Sequence, residues 1–510
     1  MSTENEVKFE VSPDDLQKLA VARSLRPTNG QFVKHKNFVS TYFDTPKHVL
    51  WHNGVSLLVR QSGKKRVQRI KSERDGIALG RGEWEDKIEN HEPDLRAARR
   101  TALAPLFSKK LRRDLSPIFA THIHRTLVPL RQGNSRVELA LDQGHVRVGR
   151  NVTPLAEVEL ELKNGSVADL FKAARMVTAL VPAKLTVRRR SEQGYDLVED
   201  QPVCAFQASK ITLKGKATLS SAFQVIGRSV LHHIAANEPA VLAGLPEGVH
   251  QMRIGVRRLR AAIWVFSELL RSKQTELIKN ELKWLAGKLG PVRDLDVFLN
   301  TKVIRLASAA PPISGLADLT TELVYRRDLA AEAAKKACAS SRYRRLIFNA
   351  LEWIENGIWL KRSSTLGNQR TKSFATHLFD RRIKMVKERS NKVNKLNVRD
   401  RHKLRIATKK LRYTADFFQS LFGGSANSKA LSRYKDCFER LQDSLGALND
   451  IAVHQKMLTK LGMDCEEKKS RLVSFAAGAV VGGERSKIGP LLDIAKNAAR
   501  KLRQAEEFWS

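Results

Sequence analysis

Charged and apolar residues alternate where the sequence begins, in the stretch ENEVKFEV over residues 4–11. Successive side chains of a β-strand point to opposite faces. One face of this strand would carry Glu4, Glu6 and Lys8, while Val7 and Phe9 would lie on the other. Closely spaced carboxylates bind a hard divalent cation through oxygen, and a lysine binds phosphate as a point charge. The stretch is therefore a candidate for metal-assisted chemistry on a phosphate.

Carboxylates at alternate positions recur in two later segments. AEVELELK places Glu157, Glu159 and Glu161 on one strand face, and SRVELALD places Glu138 and Asp142 together. Such residues can simply be the polar face of a half-buried sheet, although adjacent carboxylates repel and raise each other's pKa. If the sheet instead closes into a barrel with these faces inward, the carboxylates can bind metal, and arginines and lysines can bind a polyphosphate. Phosphoryl transfer mainly requires this positioning and charge neutralisation.

The elements that would hold these residues change in kind at about residue 217. Residues 1–200 consist mainly of short alternating segments, which predict antiparallel strands with a few helices. Beyond 217, apolar residues recur every three or four positions, which predicts helices only. We therefore predict an α+β multidomain protein with a β-domain at 1–200, a linker at 201–216 and a helical domain at 217–505.

The helical half contains an internal repeat. HQMRIGVRRLRAAIWVF (250–266) matches HKLRIATKKLRYTADFF (402–418) at an offset of 152, and LGPVRDLDVF (289–298) matches LGALNDIAVH (445–454) at an offset of 156. The same order of elements occurs twice, so we predict two similar helical bundles, at about 217–365 and 366–505.

A basic stripe lies on one helix face in each copy of the first repeated segment. Its residues are spaced by three and four positions and include no acid. One such stripe can be an ordinary solvent-exposed face, but two equivalent stripes indicate a cationic groove, where arginine suits phosphate through its planar fork. The stripe residues are His250, Arg253, Arg257 and Arg260 in the first copy and His402, Arg405, Lys409 and Arg412 in the second.

Acidic and amide residues follow glycines in the second repeated segment. The glycines would end helices, and we predict that the residues after them pair with the basic helices and fix their orientation. These residues are Asp294, Asp296, Asn449 and Asp450.

The charge of the chain is strongly positive, with a formal net charge of +38. Residues 1–200 hold 35 Lys and Arg against 25 Asp and Glu, whereas residues 201–510 hold 56 against 28, so most of the excess lies in the helical half. Such a surface indicates a polyanion as binding partner.

The four scattered cysteines have no CxxC spacing and indicate neither a disulfide framework nor a zinc site. The longest apolar run is too short to span a bilayer, and no signal peptide is evident.

Residues 1–200 resemble the CYTH family, the triphosphate tunnel metalloenzymes. The resemblance rests on the ExExK pattern at Glu4, on YFDTP (42–46), RGEWE (81–85), ELALDQG (138–144) and EVELEL (157–162), and on the dipeptide GY at 194–195. It implies an antiparallel eight-stranded β-barrel that forms a tunnel, with Mg²⁺ or Mn²⁺ as cofactor. Members of the family hydrolyse inorganic triphosphate or thiamine triphosphate, or cyclise ATP.

The resemblance also implies roles for single residues. Glu4, Glu6 and Lys8 would be catalytic. The metal would be held by Glu4, Glu6, Glu157, Glu159 and Glu161. The phosphates would be held by Lys8, Arg60, Lys71, Arg125 and Arg190. Two positions depart from the family pattern, because Leu58 and Gln193 occupy places where the family usually has arginine.

The helical half resembles the CHAD domain, which is found beside CYTH domains and is associated with binding of inorganic polyphosphate. The resemblance covers about 217–505 and rests on the two copies of the repeated segments. The two resemblances together imply an inorganic triphosphatase with triphosphate and polyphosphate as partners. The protein is expected in the cytoplasm, and its association with polyphosphate granules is a further hypothesis. The alternative is a weak or inactive CYTH protein that acts as a polyphosphate-binding or targeting module. Nucleic acid is expected only as a non-specific polyanion and a membrane is not expected; the oligomeric state stays open.

Overall fold

The computed structural model describes residues 5–27, 32–72, 83–96, 101, 104–106, 108–303, 313–362, 364–391, 393–423, 425–464 and 467–509. The chain divides into two compact units. The first comprises Met1–Ala205 with Ala339–Asn356, and the second comprises Phe206–Cys338 with Gly357–Ser510. No helix in the described ranges is both long enough and apolar enough to cross a membrane.

The first unit is built on one antiparallel sheet. The described part of the chain contributes nine strands: β1 (Asn5–Glu10), β2 (Lys34–Asp44), β3 (Val55–Ser62), β4 (Lys65–Ser72), β5 (Glu83–Ile88), β6 (Ser116–Gln132), β7 (Ser135–Val148), β8 (Asn151–Asn164) and β9 (Lys184–Leu185). Their order is β5-β4-β3-β2-β6-β7-β8-β1-β9. The helices of this unit are α1 (Pro13–Val21), α2 (Val49–His52), α3 (Lys109–Asp114), α4 (Val167–Leu180), α5 (Arg190–Val198) and, far along the chain, α12 (Ser341–Asn356).

The predicted fold class, an antiparallel β-domain followed by a helical domain, is confirmed, with two differences in detail. The sheet has a ninth strand, and no hydrogen-bonded pairing between β5 and β9 closes it among the described residues. The ninth strand has only two residues, Lys184 and Leu185, and so short a strand leaves no alternation in the sequence.

The alternating charged and apolar residues near the start of the sequence form strand β1. Val7 and Phe9 are buried in the core, with exposed fractions of 2% and 0%. Lys8 lies on the opposite face and pairs across the ladder with Glu159 of β8. Because the strand period is two, this register brings the charged faces of β1 and β8 together.

Helix α12 packs on the first unit although the sequence places it between segments of the second. The ring of Phe348 lies 5.6 Å from that of Phe9 in β1 and 6.0 Å from that of Phe171 in α4. Arg175 of α4 pairs with Glu352, and its guanidinium donates to Asn349 at 3.1 Å. The apolar and charged contacts together explain why this helix belongs to the β-unit.

Replacing Phe348 with alanine should weaken the first unit. Removing a buried phenylalanine costs about 3–5 kcal/mol, because the cavity left behind closes only partly. Hydrogen–deuterium exchange of peptides from β1 and α4 should show a loss of protection of that size. The matched control is Arg345→Ala on the exposed side of the same helix, and equal exchange in both variants would refute the packing.

The second unit is helical in its described part. Its helices are α6 (Leu219–Ala236), α7 (Glu238–Leu242), α8 (Pro246–Val265), α9 (Ser267–Leu270), α10 (Lys273–Phe298), α11 (Leu316–Ala339), α13 (Ile358–Arg362), α14 (Ser364–Gly367), α15 (Thr371–Arg389), α16 (Val398–Phe418), α17 (Ser425–Asp464), α18 (Glu467–Arg485) and α19 (Ile488–Gln504). Short 3₁₀ segments occur at Arg23–Leu25, Ala104–Leu106, Val393–Lys395 and Gln419–Leu421, and a π-helical turn follows α10 at Leu299–Val303.

The two copies of the basic segment form equivalent helices, α8 and α16. Pro246 lies in the first turn of α8, and the Asn397 side chain caps α16 by accepting from the Asp400 amide at 2.9 Å. One expectation was wrong. Gly290 and Gly446 do not end helices but lie inside α10 and α17, because the tertiary packing of these long helices overrides the weak helix propensity of glycine.

Candidate anion-binding sites

One polar cavity lies on the charged side of the sheet, with a volume of about 100 Å³. Its lining comes from β1, β2, β3, β4, β6 and β8 and from the segment that leads into α5. Strands β3 and β1 are separated by four others in the ladder, so a flat sheet would hold them about 24 Å apart. The sheet must therefore wrap around this sheet cavity. It is lined by Glu6, Lys8, Tyr42, Ser56, Leu58, Arg60, Arg69, Lys71, Arg125, Glu157, Glu159, Thr186, Arg188, Arg189, Arg190 and Ser191.

Glu159 is the centre of the charge network in the sheet cavity. Lys8 Nζ lies 3.6 Å from its carboxylate, and Arg125 donates to it at 2.8 Å. Lys8 Nζ also lies 3.4 Å from the Glu6 carboxylate, so the two carboxylates share this ammonium. Burial opposes the ionisation of Glu159, but Lys8 and Arg125 outweigh it and hold the pKa of this carboxyl well below its usual range. Glu159 is therefore a carboxylate at neutral pH.

Two arginines are fixed by a shared buried carboxylate. Arg125 donates two hydrogen bonds of 2.7 Å to Asp142, which is completely buried. Arg190 also donates to Asp142, and its Nε donates to Glu157 at 2.7 Å. Burial disfavours both guanidinium ions, but these carboxylates raise the pKa values of Arg125 and Arg190. Both cations are thus held rigidly in place before any ligand binds.

Arg60 differs from these arginines because it has no carboxylate partner among the described residues. Its Nε donates to the Ser40 hydroxyl at 3.1 Å, and its guanidinium lies 4.4 Å from the centre of the Phe38 ring. Burial and the nearby cations Arg69, Arg190 and Arg125 lower the pKa of Arg60 to about 9. A guanidinium in such surroundings is stabilised by an anion in the cavity.

Most of the sequence-predicted residues of this site meet in the sheet cavity. Glu6, Lys8, Arg60, Lys71, Arg125, Glu157, Glu159 and Arg190 all line it. Glu4 lies outside the described residues. Glu161 does not line the cavity, because its carboxylate is engaged by Lys163 at 2.5 Å. Leu58 lines the cavity at one of the positions where the family usually has arginine, whereas Gln193 lies in α5 and does not line it.

Asp142 is the main residue that sequence reasoning left out of the site. The signal was present, because Asp142 shares a strand face with Glu138 in the ELALDQG motif. The cavity lining also includes Arg69, which pairs with Glu85 at 2.5 Å, and the cationic pair Arg188 and Arg189. These cations could not be oriented from the sequence, because the register of β4 and the start of α5 decides which way they point.

The motifs YFDTP and GY mainly support the fold, although Tyr42 also lines the sheet cavity. Asp44 accepts from the backbone amides of Leu50 and Trp51, both at 2.9 Å, and so caps α2. Tyr195 donates its hydroxyl hydrogen to the same carboxylate at 2.8 Å. Any Cβ at Gly194 would meet the ring of Phe119 at 2.1 Å, so only glycine fits beside it. These residues anchor α5, and α5 carries Arg190.

A divalent cation fits part of this donor set. Among the described residues, no three carboxylates, histidines or cysteines are arranged to share one metal ion. Glu6 and Glu159 are nevertheless in contact, and adjacent carboxylates of this kind are hard oxygen ligands. Glu4 would be the third ligand. The residues present therefore suit a metal held by β1 and β8, with Glu157 committed to Arg190 instead.

A second cavity, the α8–α16 groove, lies in the helical unit with a volume of about 480 Å³. The basic stripes of both repeat copies face it. Its lining from α8 and α10 is His250, Arg253, Ile254, Arg257, Arg293, Asp294 and Val297, and its lining from α16 and α17 is Arg405, Lys409, Gln442, Asp443, Gly446, Ala447, Asn449, Asp450, Val453 and His454. Five of the eight predicted stripe residues line this groove.

Three stripe residues lie outside the lining of the groove. Arg260 is exposed at the surface of α8. His402 is also exposed and lies 3.3 Å from the Asn449 side chain. Arg412 stacks near Tyr413 at 5.6 Å from the ring centre. His250, at the start of the first stripe, lines the groove, so the two copies differ at this position.

The groove concentrates positive charge that its carboxylates only partly balance. Burial, followed by Arg257, Arg405 and Arg253, lowers the pKa of Lys409 to about 7. Burial also lowers the pKa of His250, with Arg293 adding to the effect. Within the part of the chain that the structure describes, the Nε atoms of Arg257 and Arg405 and the Nδ1 atom of His250 are buried without a hydrogen-bond partner. Buried polar atoms normally have a hydrogen-bond partner, so a bound anion that accepts hydrogen bonds from these arginines would be stabilised here.

The acidic and amide residues of the second repeated segment lie beside stripe residues in three of four cases. Asp294 pairs with Arg253 at 2.9 Å. Burial lowers the pKa of Arg405, and the negative charge of Asp450 partly opposes that effect. Asn449 meets His402. Asp296 instead pairs with Arg327 of α11 at 2.9 Å, because it points to the other side of α10.

Comparisons with known proteins match two domain families, one in each half of the sequence. The model of the CYTH domain matches residues 2–191, and that of the CHAD domain matches residues 226–459. The inorganic triphosphatase of Haemophilus influenzae is 29% identical over 39% of the chain, and the chain spans 56% of the length of that relative. The crystal structure of the CHAD domain from the plant Ricinus communis matches with a TM-score of 0.52 and 28% identity, covering 60% of this chain and 99% of that one.

Proposed function

The chain contains a CYTH domain followed by a CHAD domain, and on that premise we propose that it is a metal-dependent inorganic triphosphatase with a polyphosphate-binding helical half. The reaction is triphosphate plus water to diphosphate plus phosphate. The observation that carries the proposal is Arg60, a cation without a carboxylate partner among the described residues, in a cavity that five other arginines also line. A short, highly charged anion is what such a cavity accommodates.

Residues at different positions in the sheet cavity have different roles in binding phosphate and metal. Arg125 and Arg190 are held by Asp142 and present fixed cations to the phosphate oxygens. Arg60 and Lys71 add charge from β3 and β4 on the other side of the cavity. A divalent cation on Glu6 and Glu159, with Glu4, would neutralise further charge on the phosphates. Catalysis then rests on positioning and electrostatic stabilisation.

A substrate panel tests this function. The purified full chain should release phosphate from triphosphate faster than from ATP, thiamine triphosphate or long polyphosphate, because the lining of the cavity is dominated by charged side chains that match the phosphate groups of a short anion. Each substrate is assayed with Mg²⁺, with Mn²⁺ and with EDTA. Preference for ATP or for thiamine triphosphate would contradict the proposal.

Leu58 supports a second candidate, a tunnel of low activity that serves as a binding module. It lines the cavity and is completely buried, so one inward cation of the family pattern is absent. Replacing Leu58 with arginine should lower the KM for triphosphate about tenfold, since a hydrogen bond to a charged group contributes about 1.5–3 kcal/mol. The uncharged control is Leu58→Met. An arginine variant whose KM equals that of the methionine variant would contradict the account of Leu58.

The α8–α16 groove is the proposed polyphosphate site. The support is its paired basic helices and the buried Nε donors of Arg257 and Arg405, for which the described residues supply no hydrogen-bond partner. By binding there, the protein would associate with polyphosphate in the cytoplasm, including polyphosphate granules.

The affinity of the groove for polyphosphate should fall as the pH rises through 7. Lys409 has a pKa of about 7 in the empty groove, and a bound polyanion raises it. Below pH 7 the ammonium is largely formed, whereas above it binding must take up a proton, so affinity should weaken about fivefold between pH 7 and pH 8. Binding titrations of the full chain measure this. In Lys409→Arg the charge is permanent, and a pH dependence unchanged by that substitution would count against the assignment.

A further inference from the structure

A third polar cavity, the Trp264 pocket, lies between α15 and α16 and has a volume of about 190 Å³. It is lined by Arg382, Met385, Arg389, Ile406, Ala407 and Lys410. Beside it, Trp264 of α8 contacts two of these cations. The guanidinium of Arg382 lies 4.2 Å from the centre of the ring, and Lys410 Nζ lies 4.3 Å from it. One indole therefore contacts two like charges.

Among the residues that the structure describes, no carboxylate balances the three cations of the Trp264 pocket. In the described ranges, none of them forms an ion pair, and the Nε of Arg382 is buried without a hydrogen-bond partner. Arg389 donates only to the Lys403 carbonyl, at 3.4 Å. Burial lowers the pKa values of Arg382 and Lys410, and neighbouring arginines lower them further. An uncompensated cluster of this kind is stabilised by an anion.

The internal repeat shows what the pocket has in place of a carboxylate. At the offset of 152, Lys410 corresponds to Arg258, and Trp264 corresponds to Asp416. Burial lowers the pKa of Arg258, and Asp416 opposes that effect from the other helix. In the related position, Lys410 meets Trp264 instead. One copy thus supplies its own counter-charge, and the other leaves the cation to an external anion.

The Trp264 pocket is separate from the α8–α16 groove, although α16 contributes to both. Arg405 and Lys409 line the groove, whereas Ile406 and Lys410 line the pocket. A shift of one residue turns a side chain by about 100° around a helix. The two linings share no residue, so charge changes in one can be made without touching the other.

We propose that the Trp264 pocket is a second phosphate-binding site, with the guanidinium of Arg382 and the ammonium of Lys410 as its main donors. The volume equals that of about six water molecules, which suits one or two phosphate groups. Two sources share this chemistry: free phosphate or diphosphate, and a segment of a polyphosphate chain. The site goes beyond the proposed function, because it does not depend on activity in the sheet cavity or on binding in the groove.

Tryptophan fluorescence of the full chain tests the site, because Trp264 reports directly on its two cations. The component of the signal that belongs to Trp264 is the part lost in Trp264→Phe. Titration with diphosphate, with phosphate and with long polyphosphate should give a saturable change in that component. A response to the short anions identifies a site for free phosphate, and a response to the long chain alone identifies a site for a polymer segment.

Charge-removing variants make the test specific. Arg382→Gln with Lys410→Gln should weaken the Trp264 response at least tenfold, whereas Lys384→Gln, an exposed change on the same helix, should leave it unchanged. Arg253→Gln with Arg405→Gln removes two cations of the groove and should leave the response to the short anions within twofold. The proposal is overturned by a wild-type protein without a Trp264 response, by a response that persists in the first variant, or by one that disappears with the groove variant.

Discussion

Glu159→Gln should lower kcat/KM for triphosphate at least about 100-fold while the protein stays folded. The substitution keeps the shape of the side chain but removes the charge that engages Lys8 and Arg125 and adjoins Glu6. Loss of a main electrostatic contributor of this kind costs about 3 kcal/mol in the transition state. Metal affinity should fall as well, which Mn²⁺ titration measures independently of turnover. Glu4→Gln is expected to act in the same way.

The control for this result is a carboxylate outside the cavity. Glu161 is engaged by Lys163 and does not line the sheet cavity, so Glu161→Gln should retain most of the activity. Far-ultraviolet circular dichroism checks that both variants fold. A folded Glu159→Gln protein with the wild-type rate would mean that this cavity is not the place of hydrolysis.

Charge reversal in the groove should abolish polyphosphate binding and leave triphosphate turnover nearly unchanged. In Arg253→Glu with Arg405→Glu, each equivalent helix presents repulsion where it presented attraction. Binding by the wild type should weaken steeply with salt, since counterions condensed on a polyanion are released on contact. For nucleic acid, the logarithm of the binding constant falls with the logarithm of the salt concentration with a slope of about 0.7–0.9 per phosphate contacted. The slope for polyphosphate should be comparable. The full chain is the right material, because α12 packs on the β-unit.

A matched variant separates the groove from the overall charge. Arg260→Glu with Arg399→Glu changes the net charge equally at exposed positions of the same two helices. This control should bind polyphosphate nearly as well as the wild type. Equal losses in both double variants, or displacement of polyphosphate by duplex DNA at equal phosphate concentration, would show that the protein senses charge density alone.

The sequence predicts those parts of both sites that periodicity determines. The alternation of β1 and β8 predicts that Lys8 and Glu159 share a face, and the helical spacing predicts that Arg253 and Arg257 share another. It cannot show which charges cancel. Asp142 serves two arginines from different elements, an arrangement that only the register of β6, β7 and α5 creates.

Local signals also fail where tertiary packing decides. Gly290 and Gly446 suggest helix ends, yet both lie inside long helices. The sequence of α12 reads like its neighbours in the helical half, and only the contacts of Phe348 show that it packs on the β-unit. Trp264 and Lys410 are 146 positions apart, and only the structure brings the ring and the ammonium together.

Phosphorus NMR of triphosphate incubated with the purified full chain tests the central claim most directly. With Mg²⁺ or Mn²⁺ present, the account predicts that each triphosphate yields one diphosphate and one phosphate, and that excess EDTA stops the conversion. Triphosphate that persists unchanged in the presence of both the metal and the folded protein would contradict the account, as would a conversion that EDTA leaves untouched.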